Sequence, residues 1–152
     1  MKGFLFVYLI GVSSVAFSQI REDRSFSVDI TEFAMFFDYK YYINTDSIYI
    51  VKKTFLPKET KMRYTHKWTE AEKFEIDKLA HKIKLDTLKT NYQAEGTDDN
   101  SEFVFYFAIG GSDKRITIYK CRIGPIADFV VAVNKGLPSE YRIGYNDQYF
   151  GR

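Results

Sequence analysis

The sequence predicts an α+β domain: an antiparallel sheet of about four to six strands with two helices packed on one face, a two-layer sandwich. Three observations predict it. The 152 residues hold 14 phenylalanines and 12 tyrosines, large rings with high strand propensity that favour a sheet and an aromatic core. Two stretches alternate apolar and polar residues on either side of turn formers, the mark of hairpins. Two others carry apolar residues at helical spacing between start and stop signals. Strands grouped together, with helices set between and after them, suit a sheet with its helices on one side.

The chain opens with "FLFVYLIGVSSVAFSQ", residues 4 to 19. The apolar run from Gly3 to Phe17 is about 15 residues long, whereas a spanning helix needs roughly 20. Lys2 precedes the run and Ala16-Phe17-Ser18 closes it with small residues at the positions a signal peptidase reads. The expected organisation is a cleaved secretory signal over 1–18 and one α+β domain over 19–152. No cysteine follows the run to carry a lipid, so the mature chain is expected to be exported, periplasmic or extracellular, soluble, and without a transmembrane span. Lysine plus arginine total 22 against 20 acids, a balance that argues against nucleic acid as a partner. Cys121 is the one cysteine, so no intramolecular disulfide forms, although the destination is oxidising.

Within the domain, "SFSVDI" alternates Phe26, Val28 and Ile30 as a strand. "KYYINTDSIYIV" reads as a hairpin, 38–43 with 47–53, around Asn44-Thr45-Asp46, turn formers that tolerate positive φ. "KMRYTH" (Met62, Tyr64, His66) is a further strand by the same alternation. In "WTEAEKFEIDKLAHKIKL" Thr69 caps a helix, Glu72 completes a capping box, and Glu70 sits where the helix dipole favours a negative charge. Ile76, Leu79, Ala80 and Ile83 form its apolar stripe with Trp68 at the edge; Phe74 falls on the polar side. "EFVFYFAIGGSDKRITIYK" predicts a second hairpin, in which Phe103, Phe105, Phe107 and Ile109 share one face, Gly110-Gly111-Ser112-Asp113 turn, and Ile116 and Ile118 return. Gly124-Pro125 starts a second helix that carries Ile126, Phe129, Val130 and Val133 and ends at Asn134-Lys135-Gly136.

With both helices on one face, the other face of the sheet is open. Alternation assigns Tyr49, Val51, Val104, Tyr106, Ala108, Thr117 and Tyr119 to it. The tail "YRIGYNDQYFGR" holds Tyr141, Tyr145, Tyr149 and Phe150, rings able to cap that face.

The helix beginning "WTEAE", the segment "LDTLKTNY", a loop containing Asp98, the second hairpin, a last helix running into "NKGLP" and the signal ending "FSQ" together resemble the small secreted domains of unknown function common in Bacteroidota. The resemblance spans most of the mature chain and implies an α+β sheet outside the cytoplasm. It carries no catalytic motif.

Few residues offer chemistry. His66 and His81 stand alone, without HExxH or CxxC spacing, and read as solvated side chains. Cys121, between Lys120 and Arg122 at a strand end, lacks a neighbouring histidine to make a thiolate and reads as a structural thiol. The loop "AEGTDDNSE" gathers Glu95, Asp98, Asp99 and Glu102, oxygen ligands of the kind calcium takes, although not at EF-hand spacing. Residues 52–67 hold Lys52, Lys53, Lys58, Lys61, Arg63 and Lys67 against Glu59, an excess that suits an anionic lipid, glycan or protein partner but reads first as a solvated connection. The expected function is non-catalytic binding of another envelope protein or a glycan on the open face through Tyr49, Tyr106, Thr117 and Tyr119. No cofactor is expected. The alternative is a small hydrolase or cation-binding protein using Cys121 or the 95–102 loop, with calcium bound by Glu95, Asp98, Asp99 and Glu102.

Overall fold

The computed structural model describes residues 25–94 and 102–146. Seven strands form one sheet: β1 (Phe26–Ala34), β2 (Phe37–Asn44), β3 (Ser47–Thr54), β4 (Thr60–Lys67), β5 (Asn91–Gln93), β6 (Glu102–Ile109) and β7 (Ser112–Tyr119). Their spatial order is β4-β3-β2-β1-β6-β7-β5. The α+β class is as predicted, but the sheet is larger than four to six strands and is mixed. β5 runs parallel to β7, pairing Asn91 with Thr117 and Gln93 with Tyr119. Three residues are too few to show a two-residue period, so only the neighbouring strand reveals β5 as a strand.

Both hairpins form, by different turn chemistry. Gly110 and Gly111 take φ of 56° and 77°, the two positive values that a two-residue turn asks for and that glycine adopts without steric cost. The first turn needs no positive φ, contrary to expectation. There the Asn44 side chain accepts hydrogen bonds from the backbone N–H groups of Asp46 and Ser47, both at 2.9 Å, and so replaces the backbone acceptor of a tighter turn.

The first helix, α1 (Glu70–Ala80), starts with both halves of the capping box at Thr69 and Glu72. Trp68 ties that start to the first hairpin: its backbone N–H donates to the Asp46 carbonyl at 3.0 Å and its indole N–H to the Asn44 carbonyl at 3.1 Å. The second, α2 (Gly124–Lys135), buries Ile126, Ala127, Phe129, Val130, Ala132 and Val133. Both helices pack on the face that carries Val28, Ile30, Ile48, Ile50, Phe103, Phe105, Phe107, Ile116 and Ile118, making one continuous core. Phe74 points outward and is exposed.

The C-terminal segment joins this covered side instead of capping the open one. Tyr145 is buried edge-on against Phe103 and Phe105 at 5.4 and 5.3 Å, and its hydroxyl donates to the Cys121 carbonyl at 3.0 Å. Tyr141 stacks on Tyr64 of β4 at 4.3 Å. Their rings find deeper burial among the core aromatics than a flat strand surface would give. Tyr149 and Phe150 lie outside the described residues. No helix among the described residues is long and apolar enough to cross a membrane.

Candidate interaction face

On the side away from the helices, register arranges the side chains in rows across the strands. One row runs Thr65, Tyr49, Tyr42, Asp29, Tyr106, Arg115, from β4 to β7. The next runs Arg63, Val51, Lys40, Thr31, Val104, Thr117. Two of the expected residues, Tyr49 and Tyr106, therefore share a row, Thr117 stands in the second, and Tyr119 sits beyond it near the sheet end. All four lie on the open face.

The first row is the most aromatic. Tyr42, Tyr49 and Tyr106 are between 38% and 44% exposed, and Tyr42 and Tyr49 stack at 5.9 Å. The Tyr106 hydroxyl donates to Asp113 at 3.2 Å, and the charge of Asp113, then that hydrogen bond, raise the phenol above its ordinary value. Asp29 lies between Tyr42 and Tyr106, and partial burial raises its carboxyl. Beside Tyr106 a shallow hollow of about 480 Å³ opens, walled by Ser27, Ala108 and Asp113. Tyr119 is less available, because its hydroxyl donates to Glu102 at 2.7 Å and is held above its ordinary value by that bond.

Tyr42 and Asp29 were not expected in the site. Tyr42 carries the same alternation signal as Tyr49, since Tyr41 and Ile43 on either side of it face inward. Asp29 alternates with Val28 and Ile30 in the same way.

No protein-family model matches the chain, and no curated protein matches it.

Of the expected cation ligands, Glu95, Asp98 and Asp99 lie outside the described residues, and Glu102 is engaged by Tyr119. No group of three or more histidine, cysteine or acidic side chains gathers among the described residues. Cys121 is a half-buried free thiol at the end of β7. His66 is on β4, at the opposite edge of the sheet. It is not the freely solvated side chain expected: it lies 3.3 Å from Glu72 Oε2 and edge-on to Trp68 at 5.1 Å. His81 lies over the last turn of α1, its Nδ1 2.9 Å from the Asp77 carbonyl.

A second polar group escaped the sequence reading. Glu32 continues the inward set Phe26, Val28, Ile30 and is only 4% exposed. The Tyr41 hydroxyl is 3.2 Å from Glu32 Oε2 and 3.3 Å from the Arg142 carbonyl. Burial, then the Glu32 charge and hydrogen bond, push that phenol far up. Lys52 lies 4.4 Å over the Tyr39 ring and donates to the Glu140 carbonyl at 2.5 Å; burial lowers its ammonium, against the opposing pull of Glu32 and Glu140. Gly144 fits against the Glu32 carboxylate, where a Cβ would stand 2.8 Å from Oε1. These groups bind one another and the backbone of residues 140–142, so the cluster is a latch that fastens the C-terminal segment over β1–β3. A charged residue at an inward position of a strand was the available signal, because burial of a carboxylate demands partners.

Residues 52–67 are solvated over 55–63, as expected, but are more than a connection. They form the end of β3, a short loop and the whole of β4.

Proposed function

We propose that this is an exported, non-catalytic binding domain of the cell envelope that docks another protein on the open face of its sheet. The observation that carries the reading is the Tyr49-Tyr42-Asp29-Tyr106-Arg115 row, aromatic in its middle and charged at intervals, on a face that no described element covers. Tyrosine supplies large contact area while freezing few torsions, and arginine adds fixed hydrogen-bonding geometry. Six strands of about eight residues, spaced about 4.8 Å apart with about 3.3 Å per residue, give a face on the order of 600 Å². A standard protein interface takes about 800 Å² per partner, so the face and its rim match one partner. The hollow beside Tyr106 supplies a place for an anchoring side chain. The interspersed Asp29, Lys40, Arg63 and Arg115 favour a protein surface over a neutral glycan.

The test is site-specific photo-crosslinking in the native host, with a photoreactive phenylalanine at position 49 or 106 and, as the control, at the exposed helix position 74. Adducts of one mass from 49 and 106, absent from 74 and abolished by Tyr42→Ser, are expected. Equal labelling of both sides, or adducts removed by a glycosidase, would replace this reading.

A further inference from the structure

We propose that the end of the sheet formed by the β1–β2 turn and the β3–β4 loop docks onto an anionic phospholipid bilayer. Four apolar side chains crowd this tip. Met35 is 66% exposed and Leu56 61%, with Phe36 and Phe55 about half exposed beside them. The backbone N–H of Phe55 donates to the Phe36 carbonyl at 2.9 Å, tying the two loops into one projection. Phe33 extends it along the open face and Met62 along the other, both exposed. Leaving this much apolar surface in water has a cost, and contiguous exposed apolar surface marks a contact site.

The charges around the tip select the occupant. Lys53 and Lys61 stand directly opposite one another across β3 and β4, with Asp38 the register partner of Lys53 on its other side. Lys58 lies in the loop, and Arg63 follows two residues after Lys61; Glu59 is the one acid in the loop. Like charges opposed across a sheet repel, and an anionic surface that attracts both lysines would offset that repulsion. Lys53 and Lys61 are a few residues behind the tip, about 3–10 Å at 3.3 Å per residue. That offset matches a lipid interface, where apolar groups enter about 5–10 Å to the acyl boundary while basic groups stay with the phosphates. A convex apolar projection with a basic collar suits a penetrable surface, whereas a protein partner would have to offer a matching groove. The tip is at the sheet end, so docking there leaves the tyrosine row free, and the inference stands without the function proposed above.

The experiment uses the protein recovered from an exporting host, its N-terminus read by mass spectrometry, and vesicles of phosphatidylcholine alone or mixed with phosphatidylglycerol. Flotation with the mixed vesicles is expected, weakening as salt screens the collar. Leu56→Ser should lower the affinity about tenfold, and Lys58→Gln or Lys61→Gln about fivefold each, with unchanged melting. Because an uncleaved apolar N-terminus would itself float the chain, Leu56→Trp supplies the local readout: its indole should be quenched by brominated acyl chains, above the contribution of buried Trp68 at the other sheet end. Equal binding to neutral vesicles, flotation without quenching at position 56, or loss of self-association in place of lipid binding in Leu56→Ser would each overturn the proposal.

Discussion

Tyr41 and Tyr42 are adjacent on β2 and occupy opposite environments. Tyr41 is wholly buried, with its hydroxyl at the Glu32 carboxylate; Tyr42 stands in water beside Tyr49. The two faces of the sheet repeat this contrast along β1 and β6 and over part of β2, β3 and β7. Inward residues are fixed by what they touch, so their identities answer to packing. Outward residues are less constrained, since Tyr42 and Tyr49 touch each other but keep more than a third of their surface in water. The Lys52-Lys53 pair says the same in charge: Lys52 is spent on the Glu140 carbonyl and the Tyr39 ring, Lys53 faces Lys61.

The comparison breaks most easily at Phe105 and Tyr106. Phe105→Ala removes a ring packed against Phe103, Phe107 and Tyr145 and should destabilise by about 3–5 kcal/mol in denaturant unfolding. Tyr106→Ala should stay within about 0.5 kcal/mol; a comparable loss at both sites would mean the open face is core. A smaller contrast follows at Tyr41 and Tyr42. Tyr41→Phe takes a donor from the buried Glu32 carboxylate and should cost about 1–3 kcal/mol, while Tyr42→Phe should be neutral in the same experiment.

Thr69→Ala sharpens the covered side further, removing the α1 cap at a cost of about 1 kcal/mol. The smallest effect is a pH dependence from the same cap. Burial raises the Glu72 carboxyl, but the backbone N–H and hydroxyl of Thr69 and the ring of His66 outweigh it and hold the group below its ordinary 4.5. A depressed carboxyl contributes stability above its ordinary value and loses it as pH falls through the lowered one. The midpoint of melting should therefore drop below about pH 4.5, and Glu72→Gln should lower it at neutral pH while flattening that acid limb. An unaltered limb would assign acid sensitivity to other carboxylates.

Much of this was legible from local patterns. The Thr69 and Glu72 spacing marked α1, Gly110-Gly111 marked the second turn, and alternation assigned Tyr49, Tyr106, Thr117 and Tyr119 to one face. The row that joins Tyr49 to Tyr106 was not legible, because it passes through Tyr42 and Asp29 on strands whose register depends on β1 pairing with both β2 and β6. The tip was hidden for a related reason: Met35-Phe36 and Phe55-Leu56 are distant in sequence, and only the pairing of β2 with β3 brings their loops together.

The sequence by itself determined the long strands, the two helices and the side of those strands that turns inward, since those follow from periods of two and 3.6 residues and from capping chemistry that acts over a few positions. Tertiary structure alone decided the seven-strand order, the parallel placement of β5, and the fastening of the C-terminal segment by Glu32, Tyr41 and Lys52 on the covered side. Those outcomes depend on which distant surfaces lose the most water together, and no local window of the chain contains that comparison.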